Sequence, residues 1–474
     1  MGTSALTRTE DTYTPTTIRA EDRPDRQGVQ GMVYAGFGSL PAGRFVLLRI
    51  VDAVATRRWL AAVTDQVTGA PAAGAKFTDP TAVQVAFTCS GLTALGVRTT
   101  SQDFSRPFVE GIHTEHRRRI LGDEGTNAPD RWAWGGPTTP VDLAVLTYAA
   151  DGDAVIELVE SLDLSSAGVE VVASVPTQML PEGREHFGFR DGLSQPRFAG
   201  EEGMADPDDR TWSLVSPGEF VLGAVDQAEQ RAPIPTVAAS SDRSGALRPG
   251  GRDGTYLVLR QLRQDVAGFR AWTLGQARGD RAEAAAIAAK VVGRNADGTP
   301  LVPFDPASGV NDFGFAQDDP YGEHCPIGSH IHRANPRDGR RSVDETGGTT
   351  SPEGTLLNTK RHRILRRGRA YGEPLADGAA DDGADRGLLF VALNADIERQ
   401  FEFVQHHWLN SATFARPGEI DPLVGRNDGG YYSVPVAGQA RDRHAALPQF
   451  VTTVGGAYFF LPSLPALRYL AHLD

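Results

Sequence analysis

An α+β fold made of two βαββαβ halves is predicted by three observations. β-branched and Leu-rich runs recur at strand length, helical apolar spacings alternate with them, and both parts of the chain repeat one order of elements. In the first half, RFVLLRIVDAV from Arg44 reads as a strand, the spacing of Trp59, Leu60 and Val63 as a helix, and AVQVAFTCS as a second strand. A polar, partly helical insertion over about 108–136 follows. Then VDLAVLTYAA reads as a strand, AVIELVESL as a helix and GVEVVASV as a strand, which completes the ferredoxin-like order.

The second half repeats that order with larger insertions. GTYLVLRQLRQ reads as a strand, 266–292 as helical, RHRILRRGRAY and GLLFVALNA as strands, 397–409 as a helix and AYFFLPS as the last strand. The expectation is two ferredoxin-like halves, with antiparallel sheets packed as one body. Segments 199–244 and 371–385, rich in Gly, Pro, Asp and Arg, read as loops, and the join falls in the first. The expected division is a flexible polar arm over 1–30, an N-terminal domain over 31–200 and a C-terminal domain over 201–474. The repetition is of pattern and not of residues, which excludes a short-period solenoid or propeller.

Composition narrows the function. With 474 residues, 40% of them apolar, the chain can bury a large core. A net charge of −13 argues against nucleic-acid and anionic-membrane partners, which need a basic face. Two cysteines, Cys89 and Cys325, exclude a disulfide framework. The first 30 residues lack the apolar stretch of a signal peptide, and no segment offers the roughly 20 apolar residues that cross a bilayer, so a cytoplasmic location is expected.

Three segments carry candidate chemistry. EHFGFRDGLSQP surrounds Asp191 with Gly188 and Gly192, where the backbone can approach a ligand closely; a tight Asp-Gly turn is the alternative. EHCPIGSHIHRANPRD brings His324, His330 and His332 beside Cys325. The spacings do not match the usual zinc patterns, whereas a haem iron needs only one axial histidine. NTKRHRILRRGRAYG sets Arg361, Arg363, Arg366 and Arg367 on a strand where they cannot all face solvent if the sheet is covered; a solvated basic edge strand is the other reading.

In this order the three segments resemble the dye-decolourising peroxidases. The family's GxxDG motif stands here as Gly188-Phe189-Arg190-Asp191-Gly192. The likeness continues through CPIGSHIHRANPR, ILRRGRAYG, GLLFVALNADIERQFEFVQHHW and AYFFLPSLPAL, and reaches back to FVLLRI and LGDEGTNAPDRWAWGG, most closely in the manner of the longer bacterial subgroup.

The resemblance implies one haem b per chain in the C-terminal half, with His330 as proximal ligand, Asp191 as distal acid-base residue and Arg366 as distal arginine. It implies reduction of hydrogen peroxide and one-electron oxidation of phenols, dyes or Mn(II) through a ferryl intermediate, fastest in acid, by a monomer or homo-oligomer. Asp396 or Glu402 is the expected carboxylate partner of His330. Arg333 and Arg337 are the expected partners of the haem propionates, with Gly192 beside the cofactor. The family often has arginine where this chain has His332, which also offers an alternative ligand. Trp408, Tyr371, Tyr431 and Tyr432 are candidate surface relays for electrons from bulky donors. The competing readings are a haem-handling protein with little peroxide turnover and a metal-dependent hydrolase on His324, His330 and Cys325.

Overall fold

The structure is a computed structural model that describes residues 23–199, 213–235, 251–339, 352–414, 418–427, 429–436, 438 and 440–473. Most of the arm expected over 1–30, and the join expected near 200, lie outside the described residues. The end of that arm is not loose: Val29 and Gln30 are buried, and Gln30 Nε2 donates to the carbonyls of Val85 and Pro462.

The first half comprises β1 (Ala42–Ile50), α1 (Ala53–Val63), β2 (Thr81–Phe87), α2 (Cys89–Ala94), α3 (Arg106–Glu110), α4 (Glu115–Leu121), β3 (Leu143–Ala149), α5 (Gly152–Ser161) and β4 (Val169–Gln178). Short strands β5 (Arg197–Phe198) and β6 (Leu214–Val215) follow. The second half holds β7 (Thr255–Gln264), α6 (Val266–Gln276), α7 (Arg281–Val292), α8 (Phe315–Asp318), α9 (His330–Ala334), α10 (Pro352–Arg361), β8 (Leu365–Arg366), β9 (Arg369–Tyr371), β10 (Gly387–Asn394), β11 (Gly430–Val434), β12 (Asp442–Leu447), β13 (Val451–Leu461) and α11 (Leu464–Ala471).

The first four long strands lie in the order β4-β1-β3-β2, and the second half gives β9-β10-β7-β13, all antiparallel. Both are the ferredoxin-like order. Single bridges, Phe87 to Phe460 and Gln178 to Ala370, join the two sheets at both edges, so the strands close into a ring. Alternation along the strands explains the two main cores. Phe45, Leu47, Leu146, Leu259, Leu389 and Phe459 share one, while Val46, Leu48, Val85, Val145 and Val258 face the other with Trp59, Leu60 and Leu467.

Three elements depart from the expected pattern. The span 266–292 is two helices, because the chain turns at Arg278 and Gly279, both at positive φ. The run from Arg361 to Tyr371 is not one strand: α10 ends at Arg361, and Gly368 separates β8 from β9. The helix expected over 397–409 is wound as π-helix over Glu398–Glu402 and Val404–Leu409, with Glu402 N donating to Ile397 O and Asn410 N to Gln405 O. Such wide turns occur often at functional sites, and this one forms a cavity wall. The hairpin of β11 and β12 was not expected. No helix among the described residues is long and apolar enough to cross a membrane.

Candidate active site

A cavity with about 1990 Å³ of empty space, its open mouth included, opens between the Asp191 loop, α9, β8 and the π-helical wall. Much of its surface is apolar, with Leu388, Phe390, Phe401, Val404, Leu409 and Leu423 among the lining side chains. Asp191, Gly192, His330 and Arg366 all reach it.

The Asp191 loop is closed by its own backbone. Asp191 N donates to Gly183 O, Glu185 N to Phe189 O and Gly188 N to Glu185 O. Gly192 has φ +77°, and a Cβ there would meet no atom within 4 Å, so the chain opens onto the cavity at that point. Arg366 is delivered by β8, where it pairs with Ala392 of β10 and its N–H donates to Gln195 Oε1. Its Nη1 donates to Asp191 Oδ1 at 3.1 Å, and Gly192 N donates to the same oxygen at 2.6 Å. The Asp191 side chain is 48% exposed, and it lines the cavity. Desolvation by the surrounding protein raises its pKa, but Arg366, the Gly192 N–H and the charge of His330 together outweigh that and hold the carboxyl below its ordinary 3.8.

His330 begins α9, whose N-cap Ser329 accepts from His332 N. Its Nδ1 donates to Asp421 Oδ2 at 3.0 Å, which leaves Nε2 as the ring's ligand atom. Asp421 is buried, and its Oδ1 accepts from Leu423 N and Val424 N at 2.9 and 2.8 Å. Burial opposes both charges, yet the pair prevails: Asp421 lies below its usual range and His330 above.

The partner carboxylate is therefore Asp421, and not Asp396 or Glu402. Asp396 accepts from Arg399 N at 3.0 Å, while Glu402 points into the core, where it holds Arg117 and accepts from Tyr458 Oη at 2.7 Å. Asp421 carried a local signal in sequence, an Asx turn in Asp421-Pro422-Leu423-Val424, but nothing in that turn pointed across to His330.

Arg333 and Arg337 are also not where expected. Arg333 spends its guanidinium on the carbonyls of Gly328, Trp408, Ser411 and Glu419. Arg337 donates to the carbonyls of Asn311 and Phe313 and lies 3.8 Å over the Phe313 ring. Neither lines the cavity, whereas Arg190, Arg294, Arg363 and Arg426 do. In the segment NTKRHRILRRGRAYG, Arg367 donates to the carbonyls of Met32 and Val33, and Arg363 to that of Ser194.

His332 is no alternative ligand. Its ring is buried outside the cavity lining, stacked 3.7 Å from Phe315, and burial pushes its pKa down to about 3. His324 is exposed, and the Cys325 thiol, pushed up to about 12 by burial, contacts Ser329 Oγ. Among the described residues no group of His, Cys, Asp and Glu is arranged to hold a metal ion by itself, which removes the hydrolase reading there. The surface relays change as well. Trp408, Tyr371 and Tyr432 are all buried, and Tyr431 is half-buried with Arg443 3.5 Å over its ring. Among the described residues Tyr321, which the sequence reading did not single out, is an aromatic well exposed to solvent, at 74%.

The residues present fit a haem. A single carboxylate-backed imidazole suits a macrocycle that brings its own equatorial donors, apolar walls suit its faces, and lining arginines suit its carboxylates.

No protein-family model matches the chain. It is 35% identical over 317 residues to a multifunctional dye peroxidase of Amycolatopsis sp., and spans 61% of that relative's length. It is 30% identical over 427 residues to a dye-decolorizing peroxidase of Mycetinis scorodonius, covering 82% of this chain and 76% of that one. An ancestral D-type dye-decolorizing peroxidase superposes with a TM-score of 0.75 at 25% identity, over 94% of this chain and 99% of the other. A variant of the Auricularia auricula-judae enzyme gives the same score and identity, over 94% and 100%. Fungal relatives match as well, so these matches do not single out the longer bacterial subgroup. With this similarity along the chain and the fold in common, the chain belongs to the dye-decolourising peroxidase family.

Proposed function

We propose that the protein is a haem b peroxidase, one haem per chain, that reduces hydrogen peroxide and oxidises phenols, dyes or Mn(II) by one-electron steps. The observation that carries this reading is the pairing of two devices around one cavity: His330 backed by Asp421, and Asp191 bound to Arg366. The haem, when bound, supplies the redox chemistry and the site where peroxide ligates.

The chain's residues do the rest. His330 Nε2 would hold the haem iron, and Asp421, by taking the Nδ1 proton into a hydrogen bond, fixes the ring's orientation and strengthens it as a donor. Asp191 is the base: Oδ1 is engaged by Arg366 and Gly192, which leaves Oδ2 to take a proton from peroxide and return it to the departing oxygen as water forms. Arg366 keeps Asp191 ionised and offsets negative charge that develops as the oxygen–oxygen bond breaks. Arg363, on the cavity wall, takes the propionate role in place of Arg333 and Arg337.

The test is peroxide consumption with a phenol, an anthraquinone dye or Mn(II) as donor, in the native protein and in Asp191→Asn combined with Arg366→Leu. Loss of turnover in the double variant, with haem still bound, is expected. Undiminished turnover would remove both residues from the mechanism, and haem binding with no turnover in the native protein would favour the haem-handling reading.

A further inference from the structure

The carboxylate of Glu185 lines the cavity and fills the inside of the loop that carries Asp191. Its Oε1 accepts from Phe189 N at 3.0 Å and its Oε2 from Phe187 N at 2.9 Å. Oε2 also accepts from Gln264 Nε2 at 2.6 Å, and Gln264 is the last residue of β7, held in the ring of strands by its pairing with Val451 of β13. One side chain thus ties the loop to itself and to the sheet. From the outside Arg184 Nη1 donates to Gly188 O at 2.7 Å and to Ala296 O at 3.0 Å.

Arg366 reaches Asp191 from a different strand, β8, so the 3.1 Å contact between them depends on where the loop stands relative to the sheet. A tight backbone turn alone does not fix that relation. We infer that Glu185 is a positioning residue for the proposed peroxide chemistry: its bonds to Phe187, Phe189 and Gln264 lock the Asp191 loop to β7 and so set Asp191 against Arg366. The inference rests on the peroxidase reading for its consequence in rate, and on geometry alone for its consequence in structure. Burial pushes the Glu185 carboxyl up to about 7, opposed by the three N–H donors that favour the carboxylate. A buried acid retained at that cost has a specific set of partners to hold.

The test uses the haem-loaded protein and the variants Glu185→Ala, Glu185→Gln and Gln264→Leu. Glu185→Ala is expected to lose about 100-fold in peroxide turnover, the scale of a 1 Å misplacement. In an Asp191→Asn background the same change is expected to cost little further, because Glu185 acts through Asp191. Gln264→Leu and Glu185→Gln, which each keep part of the network, should lie between. Independently of turnover, hydrogen exchange at the Phe187 and Phe189 amides should quicken in Glu185→Ala while amides of β1 and β3 stay protected. Equal losses in both backgrounds, or unchanged exchange at the loop, would overturn the inference. If the native protein turns over no peroxide, the reading of function fails, and the exchange result still decides the role of Glu185.

Discussion

Arg366 Nη1 and Asp191 Oδ1 stand 3.1 Å apart across 175 residues of sequence, one side chain carried by the strand β8 and the other by a glycine-flanked loop. This contact, with the Gly192 N–H, is what favours the anion of Asp191 against the desolvation of the cavity. A carboxyl with a depressed pKa serves as a base down to that pKa and loses the role only as pH falls through it. Native turnover should therefore persist below pH 3.8. In Arg366→Leu the largest lowering influence is gone, and the acid limb should move to higher pH. A pH profile of the initial rate of peroxide loss checks this. An acid limb that stays in place would show that Asp191 does not titrate in the rate.

The bond from His330 to Asp421 makes a second outcome specific. Asp421→Asn keeps the shape of the side chain but removes the charge that backs the imidazole, and loss of such a partner costs about 10–100-fold in metal affinity or activity. Haem titration and turnover should both fall in that variant. Asp396→Asn, whose side chain serves Arg399, should leave haem affinity unchanged.

A third prediction concerns stability. Arg117 and Glu402 form an ion pair with both side chains 2% exposed, and Tyr458 donates to the same carboxylate. Arg117→Met leaves a carboxylate in the core without its counter-charge, for which about 3–5 kcal/mol is the usual loss. Arg119, paired with Glu115 in open solvent, provides the contrast: Arg119→Met should cost under about 1 kcal/mol. Urea unfolding of both variants measures the difference, and similar midpoints would contradict it.

The strand order of both halves was legible because period-two runs such as FVLLRI and YLVLRQL must turn alternate side chains to opposite cores. That His330, Asp191 and Arg366 meet at one cavity was foreshadowed by the family's motifs. Asp421 was not, since its contact with His330 is made across 91 residues and a short Asx turn looks the same wherever it points. Arg333 and Arg337 misled for the opposite reason. Nearness in sequence to His330 suggested a shared ligand, but Arg333 is held by backbone carbonyls and Arg337 by two carbonyls, Ser194 Oγ and the Phe313 ring, which no residue pattern records. Trp408 and Tyr432 likewise show that an aromatic beside polar neighbours in sequence can still be core.

The most direct measurement is the absorption spectrum of the haem-reconstituted protein and of its His330→Ala variant, each then mixed rapidly with hydrogen peroxide. A haem band that depends on His330, and that peroxide converts and a donor restores in the native protein, is the expected result. A protein that binds no haem, or binds it equally well without His330, would contradict the assignment of His330 and the peroxidase reading built on it.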